Sequence, residues 1–224
     1  MDTRTADDIG SWLGGWPPAL PIRVVADPDP DALSWEGKPR GVTGIVDPEG
    51  RGVVRVPVPV AGRLTSVPDL PSLLDVLPQA VGTPGTAGAG VLRWAQQVPD
   101  LPEAGVWLPA ALADDGDPRV PAWLRPFGHD VLVALNDDGA YLAGVGIKRH
   151  HDTLVEVAVV TDERARGRGL ARRLVAQAAR AAQAEGKTVL YLHAPDNLAS
   201  AAVARASGFP DTGWQIVGFW RREP

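Results

Sequence analysis

The sequence VAVVTDERARGRGLARR, from Val157 to Arg173, decides how the second half of this 224-residue chain is expected to fold. An apolar run ends at Val160, a charged turn with two glycines follows, and a helical pattern begins directly after Gly169. This order places the first N–H groups of a helix at the turn, where they lack intrahelical partners and the helix dipole favours an anion. The stretch therefore predicts a phosphate site at a helix N-terminus.

The segments around this stretch predict an alternation of strands and helices. β-Branched and apolar runs bounded by turn residues indicate strands, and apolar residues spaced three and four apart indicate helices. Gly186 and Gly208 stand where predicted helices stop. The predicted strands are Val131–Leu135, Tyr141–Lys148, Leu154–Thr161, Lys187–His193 and Trp214–Arg221, and the predicted helices extend from about residue 167 to 185 and from 197 to 207.

Residues 1–118 are rich in proline and glycine and show shorter patterns. The last strand predicted there is placed at a sheet edge, because Pro57 and Pro59 lack a backbone N–H. The sequence GTPGTAGAG, residues 82–90, predicts a flexible loop. The predicted strands are Ile22–Ala26, Gly41–Val46 and Val53–Val60, and the predicted helices are Ile9–Leu13, Leu70–Leu77 and Val91–Val98.

The composition argues against several classes of protein. The chain has no cysteine, which excludes disulfides, thiolate metal sites and a cysteine nucleophile, and its four histidines offer little for a metal centre. A formal net charge of -5 argues against nucleic-acid binding by counterion release. No apolar run is long enough to span a bilayer, and the N-terminus lacks the layout of a signal peptide. We therefore expect a cytoplasmic protein with no metal, no nucleic-acid partner and no membrane partner.

Two motifs in the second half resemble those of the GNAT acetyltransferase superfamily. Its signature R/Q-x-x-G-x-G/A is matched by Arg164, Gly167 and Gly169, between a predicted strand and a long predicted helix. A second family pattern, N-x-x-[AS]-x-x-[LV]-x-x-x-x-G-F, begins at Asn197 and ends at Phe209. The two motifs occur in the expected order, and the resemblance covers roughly residues 123–220.

The resemblance implies an α/β (α+β) fold in which a mixed, mostly antiparallel sheet is flanked by helices. The composition shifts after an acidic loop that ends at Pro118. We therefore expect a GNAT acetyltransferase domain at residues 119–224 and an N-terminal lobe at residues 1–118. That lobe is either an extension, which would have to supply the first strand and helices of the fold, or a degenerate acetyltransferase-like unit.

By resemblance, the ligand of the turn is acetyl-CoA, a co-substrate. The two glycines of the turn allow the backbone to approach a pyrophosphate closely, and the pantetheine arm would bond to the backbone of the preceding strand. Each arginine of the turn either attracts the polyanion or belongs to a solvated basic surface. The predicted CoA-binding residues are Val159, Val160, Arg164, Ala165, Arg166, Gly167, Arg168, Gly169, Leu170, Ala171 and Asn197.

Glu156 is the predicted general base, because a carboxylate within an apolar strand is desolvated and its pKa is expected to rise. If the preceding hairpin pairs Arg149 with Thr153, Glu156 lies opposite Gly146, and the missing side chain leaves a groove beside the carboxylate. The alternative is that Glu156 forms a structural ion pair with Lys148 or Arg149.

Ala204 stands where many members of the superfamily have a tyrosine that protonates the departing CoA sulfur. Two other residues are predicted substitute donors: Ser200, one helical turn earlier, and His193, at the end of a predicted strand. Each also has a structural interpretation, Ser200 as a small packing residue of the helix and His193 as a polar strand end. His150, in the predicted hairpin turn, is expected to be exposed to solvent.

The resemblance implies direct transfer of an acetyl (acyl) group from acetyl-CoA to an amine within a ternary complex. No recognisable Ser-His-Asp arrangement supports a covalent intermediate. The acceptor is a small-molecule amine or a protein amine. The competing hypothesis is a catalytically weak CoA-binding sensor or interaction module. A different phosphate ligand is less favoured, since neither a P-loop nor a dinucleotide fingerprint is present.

Overall fold

The computed structural model describes residues 2–18, 21–29, 31–64, 67–114 and 116–221, with the side chains of residues 113, 114 and 221 excluded. Residue 115, in the acidic loop, lies outside this description. The chain divides into two compact units: a first unit of residues 1–92, 193–195 and 211–224, and a second unit of residues 93–192 and 196–210. The division into a lobe and a domain at residues 118 and 119 stays a prediction.

Among the residues that the structure describes, the first unit contains five paired strands and three helices. β1 (Ile22–Ala26) pairs in parallel with β3 (Gly52–Val56), and the other ladders of this unit are antiparallel. β10 (Gln215–Arg221), the last strand of the chain, lies between β2 (Thr43–Val46) and β4 (Gly85–Trp94). The helices are α1 (Thr3–Leu13), α2 (Val58–Ala61) and α3 (Leu70–Val81).

The predicted strand Val53–Val60 is wrong in extent and in its place at an edge. β3 ends at Val56, and Pro57 caps the short helix α2 that follows. β3 pairs with β1 on one side and β2 on the other, so it is an inner strand. The prolines do not disturb its ladder because they lie beyond its end.

The predicted helix Val91–Val98 and the predicted loop at residues 82–90 are also wrong. The residues from Gly85 to Trp94 form β4, the partner of β10. The glycines of β4 allow a close approach to β10, since a Cβ at Gly85 would lie 2.5 Å from the ring of Phe219 and one at Gly88 would lie 2.9 Å from the ring of Trp220. Packing against aromatic rings therefore explains a composition that resembles a loop.

The second unit contains five paired strands in a mixed arrangement, the two C-terminal helices, a short helix, α4 (Ala110–Asp114), and a 3-10 helix (Ala122–Phe127). The strand order is β5-β6-β7-β8-β9, in which the first three ladders are antiparallel and β8 pairs with β9 in parallel. The strands are β5 (Val106–Leu108), β6 (Val131–Leu135), β7 (Tyr141–His151), β8 (Leu154–Thr161) and β9 (Thr188–His193), and the helices are α5 (Leu170–Ala184) and α6 (Leu198–Ala206). Together with the first unit, these elements confirm the predicted fold class.

The core of the second unit lies between α5 and one side of β8. Val155 and Val157 of β8 cluster with Leu174 and Ala178 of α5, and all four side chains are fully buried. Residues 155, 157 and 159 share a side of the strand because side chains alternate along it. Glu156 and Val160 therefore lie on the opposite side of β8.

The segment of residues 99–105 lies against α5 without forming a strand or helix. Its backbone groups are instead hydrogen-bonded by three long side chains of α5, which are spaced four and three residues apart and therefore lie on one surface of the helix. Gln177 both accepts from and donates to this segment, so its buried amide oxygen and amide nitrogen are both bonded. The bonds connect Arg173 to the carbonyls of Pro102 and Glu103, Gln177 to Ala104 and Gly105, and Arg180 to the carbonyls of Pro99 and Leu101.

The register assumed for the β7–β8 hairpin is wrong by two residues. The turn consists of residues 152 and 153, and a bulge between Arg149 and His151 shifts the pairing. Glu156 consequently lies opposite Lys148, and Ala158 lies opposite Gly146. A shift of two residues leaves each side chain on the side of the strand that was expected. It places the side chain of Lys148, and not a glycine, beside Glu156.

Candidate functional site

Two neighbouring parallel strands separate at the centre of the candidate site. The pairing of β8 with β9 ends at Val157 and Tyr191, but β8 continues to Thr161. The N–H of Asp162 donates to the carbonyl of Leu142 on β7. Because backbone directions alternate along a strand, the N–H and C=O of Val159 point away from β7, into the gap between β8 and β9.

The gap leads to the glycine turn predicted from the sequence. After β8, a 3-10 helix (Glu163–Ala165) leads to Gly167 and Gly169, whose φ angles of 76° and 72° lie in the left-handed region. Gly169 is the N-cap of α5 and supplies no side-chain cap, and the first turn of α5 contains no acidic residue. The first amides of this 15-residue helix are therefore available to an anion.

A groove of about 920 Å³ connects the glycine turn, the separated strands and α6. This volume is within the range of sites for drug-sized ligands and cofactors. The groove is lined by Ser200 and by every residue predicted to bind CoA except Arg164. The structure thus brings the two family motifs, Arg164–Gly169 and Asn197–Phe209, to the same groove.

Arg164 is directed to a neighbouring carboxylate. Its guanidinium bonds Asp162 through two nitrogens, at 2.9 and 3.1 Å, and its side chain is 78% exposed. The hydrogen bond from Arg164 lowers the pKa of Asp162. Arg166 is 3.4 Å from Glu163, also at the surface. The charges of these two arginines are therefore partly neutralised before any ligand enters, and the backbone amides are the better anchored donors.

The outer end of β8 is held in place by a tyrosine. The hydroxyl of Tyr141 donates to the carbonyl of Val160 at 2.9 Å and accepts from the indole N–H of Trp123 at 3.2 Å. Burial raises the pKa of Tyr141 to about 12, so the hydroxyl remains a donor at neutral pH. These bonds fix Val160, one of the residues that line the groove.

The inner end of the groove, where the pairing of β8 with β9 stops, contains a pair of hydroxyl groups. Tyr191 and Ser200 are 2.9 Å apart through their oxygens, and both line the groove. The Tyr191 side chain is almost fully buried, and its ring packs 5.6 Å from that of Phe209. Burial raises the pKa of Tyr191, although the hydrogen bond with Ser200 opposes the shift. Sequence reasoning missed Tyr191, because nothing in a strand pattern indicates that this residue lies where two strands separate.

Asn197 is the N-cap of α6. Its side-chain oxygen accepts from the N–H of Ser200 at 3.0 Å and begins α6. At the other end of α6, Ala204 is fully buried and belongs to the same apolar cluster as Tyr191 and Phe209. The Ser200 hydroxyl is thus held between a capped helix start and the tyrosine of β9.

Glu156 is not among the residues that line the groove. Its two carboxylate oxygens bond the Lys148 ammonium at 2.7 Å and the His150 ring at 2.9 Å. Burial raises the pKa of Glu156, but the hydrogen bond with His150 and the charge of Lys148 outweigh it, so the pKa lies below its ordinary value. The expected rise of this pKa is therefore wrong, and the ion pair considered as an alternative is present.

The other predicted side chains lie elsewhere. His193 ends β9, is buried, bonds the Ala194 carbonyl at 2.8 Å, and is not among the residues lining the groove. His150 belongs to β7 rather than to a turn, and its side chain is only 13% exposed, so its predicted exposure is wrong. Of the predicted catalytic side chains, the groove therefore contains only Ser200.

A family model described as "Acetyltransferase (GNAT) family" matches residues 95–209. The chain belongs to the GNAT acetyltransferase family. The match contains the glycine turn, the separated strands and α6, so the groove of this GNAT protein lies in the part that defines its family. The family's general chemistry is acyl transfer. No curated protein matches the chain significantly.

Solved structures support the same fold. A protein from Novosphingobium aromaticivorans assigned to the GNAT family is 20% identical, with a TM-score of 0.51 over 62% of this chain and 66% of that one. A GCN5-related N-acetyltransferase-like protein from Streptococcus suis is 18% identical, with a TM-score of 0.50 over 75% of this chain and 71% of that one. The match therefore spans just under two thirds of the first protein's length, and identities this low show the fold alone.

Two observations concern kinds of site that the sequence disfavoured. In the part of the chain that the structure describes, no three His, Cys, Asp or Glu side chains are grouped to hold a metal ion. Among the same residues, no helix has the length and apolar character needed to cross a bilayer.

Proposed function

We propose that this GNAT protein transfers an acetyl or other short acyl group from its CoA thioester to an amine. The glycine turn holds the pyrophosphate, the pantetheine arm follows the unpaired side of β8, and the thioester reaches the point where β8 and β9 separate. The transfer is direct, within a complex that contains both substrates. No metal takes part in this proposal.

The observation that supports this proposal best is the alignment of three polar features along one groove. The uncapped N-terminus of α5 offers amides to the phosphates, where the helix dipole adds to their attraction. Val159 offers a backbone N–H and C=O to the arm, and the Tyr191–Ser200 pair is at the inner end. A ligand with a charged head and an amide-bearing arm matches this order.

The reacting groups need little help from acid–base chemistry beyond positioning. The amine nitrogen attacks the thioester carbonyl carbon, the carbon–sulfur bond breaks, and the sulfur leaves with the electron pair. Holding the two reactants in line contributes several kcal/mol, on the order of the effects measured for well-oriented intramolecular reactions. The amine must be neutral to attack, and water in the open groove can accept its proton.

Glu156 as the general base stays a prediction, and its contacts speak against it. Both carboxylate oxygens are engaged, and a lowered pKa makes the carboxylate a weaker base than an ordinary glutamate. A structural role, joining β7 to β8 through Lys148 and His150, accounts for all its contacts.

The acceptor is proposed to be a cationic small molecule or a protein amine. The net charge of -5 favours the approach of a positively charged acceptor over a negatively charged one. A nucleic acid or a membrane surface is not proposed as a partner, for the same electrostatic reason.

The experiment combines a binding and a transfer measurement on the full chain. Calorimetry with CoA tests the groove, and release of free thiol from acetyl-CoA in the presence of small amines and a lysine-containing peptide tests transfer. We expect binding, and thiol release that at least one amine accelerates. Binding with slow hydrolysis that no amine accelerates would favour the CoA-binding sensor, and no binding would contradict both functions.

A further inference from the structure

The hydroxyl pair at the inner end of the groove has a chemical role that the proposed function leaves open. We propose that Tyr191, together with Ser200, donates a hydrogen bond to the departing sulfur and stabilises it as a thiolate, without giving up a proton to it. This inference rests on the proposed acyl transfer.

The position of the pair follows from the geometry of the strands. Tyr191 is the last residue of β9 that pairs with β8, opposite Val157, so it lies at the point where the gap between the strands closes. A donor anchored at Gly167 and Gly169 that extends along Val159 reaches this closed end with its thioester. The pair is therefore placed next to the reacting atoms, while the phosphates stay at the open end.

Two hydroxyls are suited to this position because they are adjustable donors. Either oxygen can donate within the 2.9 Å contact between Tyr191 and Ser200. Whichever residue donates the hydrogen bond between the two oxygens, the other residue has an O–H of its own. Rotation about its C–O bond can direct that O–H to the sulfur. The shared bond also strengthens the second, since hydrogen bonds in a chain polarise one another.

The acidity of the two groups decides between donating a hydrogen bond and donating a proton. Burial raises the pKa of Tyr191 above its ordinary value of 10.0, which makes its hydroxyl a weaker acid than that of an exposed tyrosine. The raised pKa therefore favours a neutral phenol that donates a hydrogen bond to the thiolate and keeps its proton. The proton lost by the amine goes to water, and the thiolate keeps its electron pair and accepts the O–H.

Tyr191 differs in its hydrogen-bond partner from Tyr141, the half-buried tyrosine of the second unit. Tyr141 donates to a backbone carbonyl, that of Val160, and is committed to holding β8. Tyr191 contacts a rotatable side-chain hydroxyl, so its bond can be redirected when a ligand enters. Tyr141 thus fixes a strand, whereas the hydroxyl of Tyr191 can reorient toward a negative charge that develops in the groove.

The first test measures the thiol of bound CoA and requires no turnover. Thiolate absorbance in the ultraviolet, titrated against pH with CoA bound, is expected to show a thiol pKa below that of free CoA in the wild type. Tyr191→Phe, which keeps the ring against Phe209, is expected to raise the bound thiol pKa by about one unit, the effect of losing one hydrogen bond to a charged group. Equal thiol pKa values in the wild type and Tyr191→Phe would overturn the inference.

The second test measures transfer. Tyr191→Phe is expected to lower kcat by about 10- to 100-fold with an unchanged dissociation constant for CoA, because the bond strengthens only as charge develops on sulfur. Ser200→Ala is expected to give a smaller loss of kcat. Ser207→Ala is the matched control, because Ser207 is buried at the C-terminal end of α6, bonds the carbonyls of Arg172 and Val203, and does not line the groove.

The outcomes separate this inference from the proposed function. A wild type that binds CoA and lowers its thiol pKa, but transfers no acyl group to any amine, would contradict the transfer and retain the thiolate site. Equal transfer rates in the wild type and in Tyr191→Phe would support acyl transfer and overturn the role of Tyr191. A wild type that binds no CoA would overturn both.

Discussion

The two parts of β8 show how differently one strand can present polar groups. At Val159 and beyond, the strand and the glycine turn offer backbone groups in an open groove, and side-chain identity matters little. Three residues earlier, Glu156 is surrounded by side chains that satisfy both of its oxygens. A site built from backbone groups can be recognised from the positions of its glycines. The role of a side chain such as Glu156 depends on which residues the strand register places beside it.

The largest effect is expected at the open part of the strand. Gly167→Asp and Gly169→Asp should lower CoA affinity by about 100-fold or more, because each adds a carboxylate beside the phosphates at a φ that L side chains rarely adopt. Titration calorimetry measures the affinity. Gly139→Asp is the matched control, because its φ of 79° is similar and a Cβ added there, as at Gly167, would meet no atom within 4 Å. Equal losses in all three variants would show that strain, and not the groove, is responsible.

The next effect tests whether Glu156 is structural. Glu156→Gln removes a buried charge opposite Lys148 and is expected to lower the free energy of unfolding by about 2 kcal/mol, since a hydrogen-bonded charge loses its partner. Denaturant unfolding measures the change. Glu163→Gln is the control, because its ion pair with Arg166 is at the surface and contributes little. A stable Glu156→Gln protein whose transfer rate nevertheless falls sharply would restore Glu156 as the base.

The pH dependence of stability sharpens the same contrast. The pKa of folded Glu156 is lower than that of an unfolded glutamate, near 4.5, so its carboxylate stabilises the fold above that value. The contribution is lost as the pH falls through the lower, folded pKa. The difference in unfolding free energy between the wild type and Glu156→Gln should therefore shrink as the pH falls below about 5. A difference that grows on acidification would contradict the assigned direction.

The smallest effect concerns the start of α6. Asn197→Ala removes the cap that bonds the Ser200 N–H and is expected to cost about 1 kcal/mol of stability. Because Asn197 also lines the groove, CoA affinity should fall by about fivefold. Asp69→Ala removes the cap of α3 in the first unit and should leave CoA affinity unchanged. Thermal unfolding and calorimetry on both variants separate capping from binding.

The sequence predicted the second half of the chain well because its strands and helices are patterned locally. β6 and β8 have the predicted bounds, and α5 begins after the two glycines, as its apolar spacing indicates. β4 was missed because its glycines serve contacts with β10, a strand more than 120 residues later in the chain. Local composition carries no information about such a distant partner.

The donor part of the site was predictable for the same reason, and the catalytic part was not. Gly167 and Gly169 define the turn without any distant partner. The contacts of Glu156 depend on a bulge at Arg149, and the role of Tyr191 depends on where two strands stop pairing. Both are properties of long-range register, which a single sequence leaves open.

The bonds between α5 and residues 99–105 have a consequence for backbone dynamics. The amides of Ala104 and Gly105 belong to no strand or helix, yet both donate to the buried side chain of Gln177. Their hydrogens should exchange with solvent deuterium only when α5 itself opens. A segment without regular structure would thus report, amide by amide, on the stability of the helix whose N-terminus forms the groove.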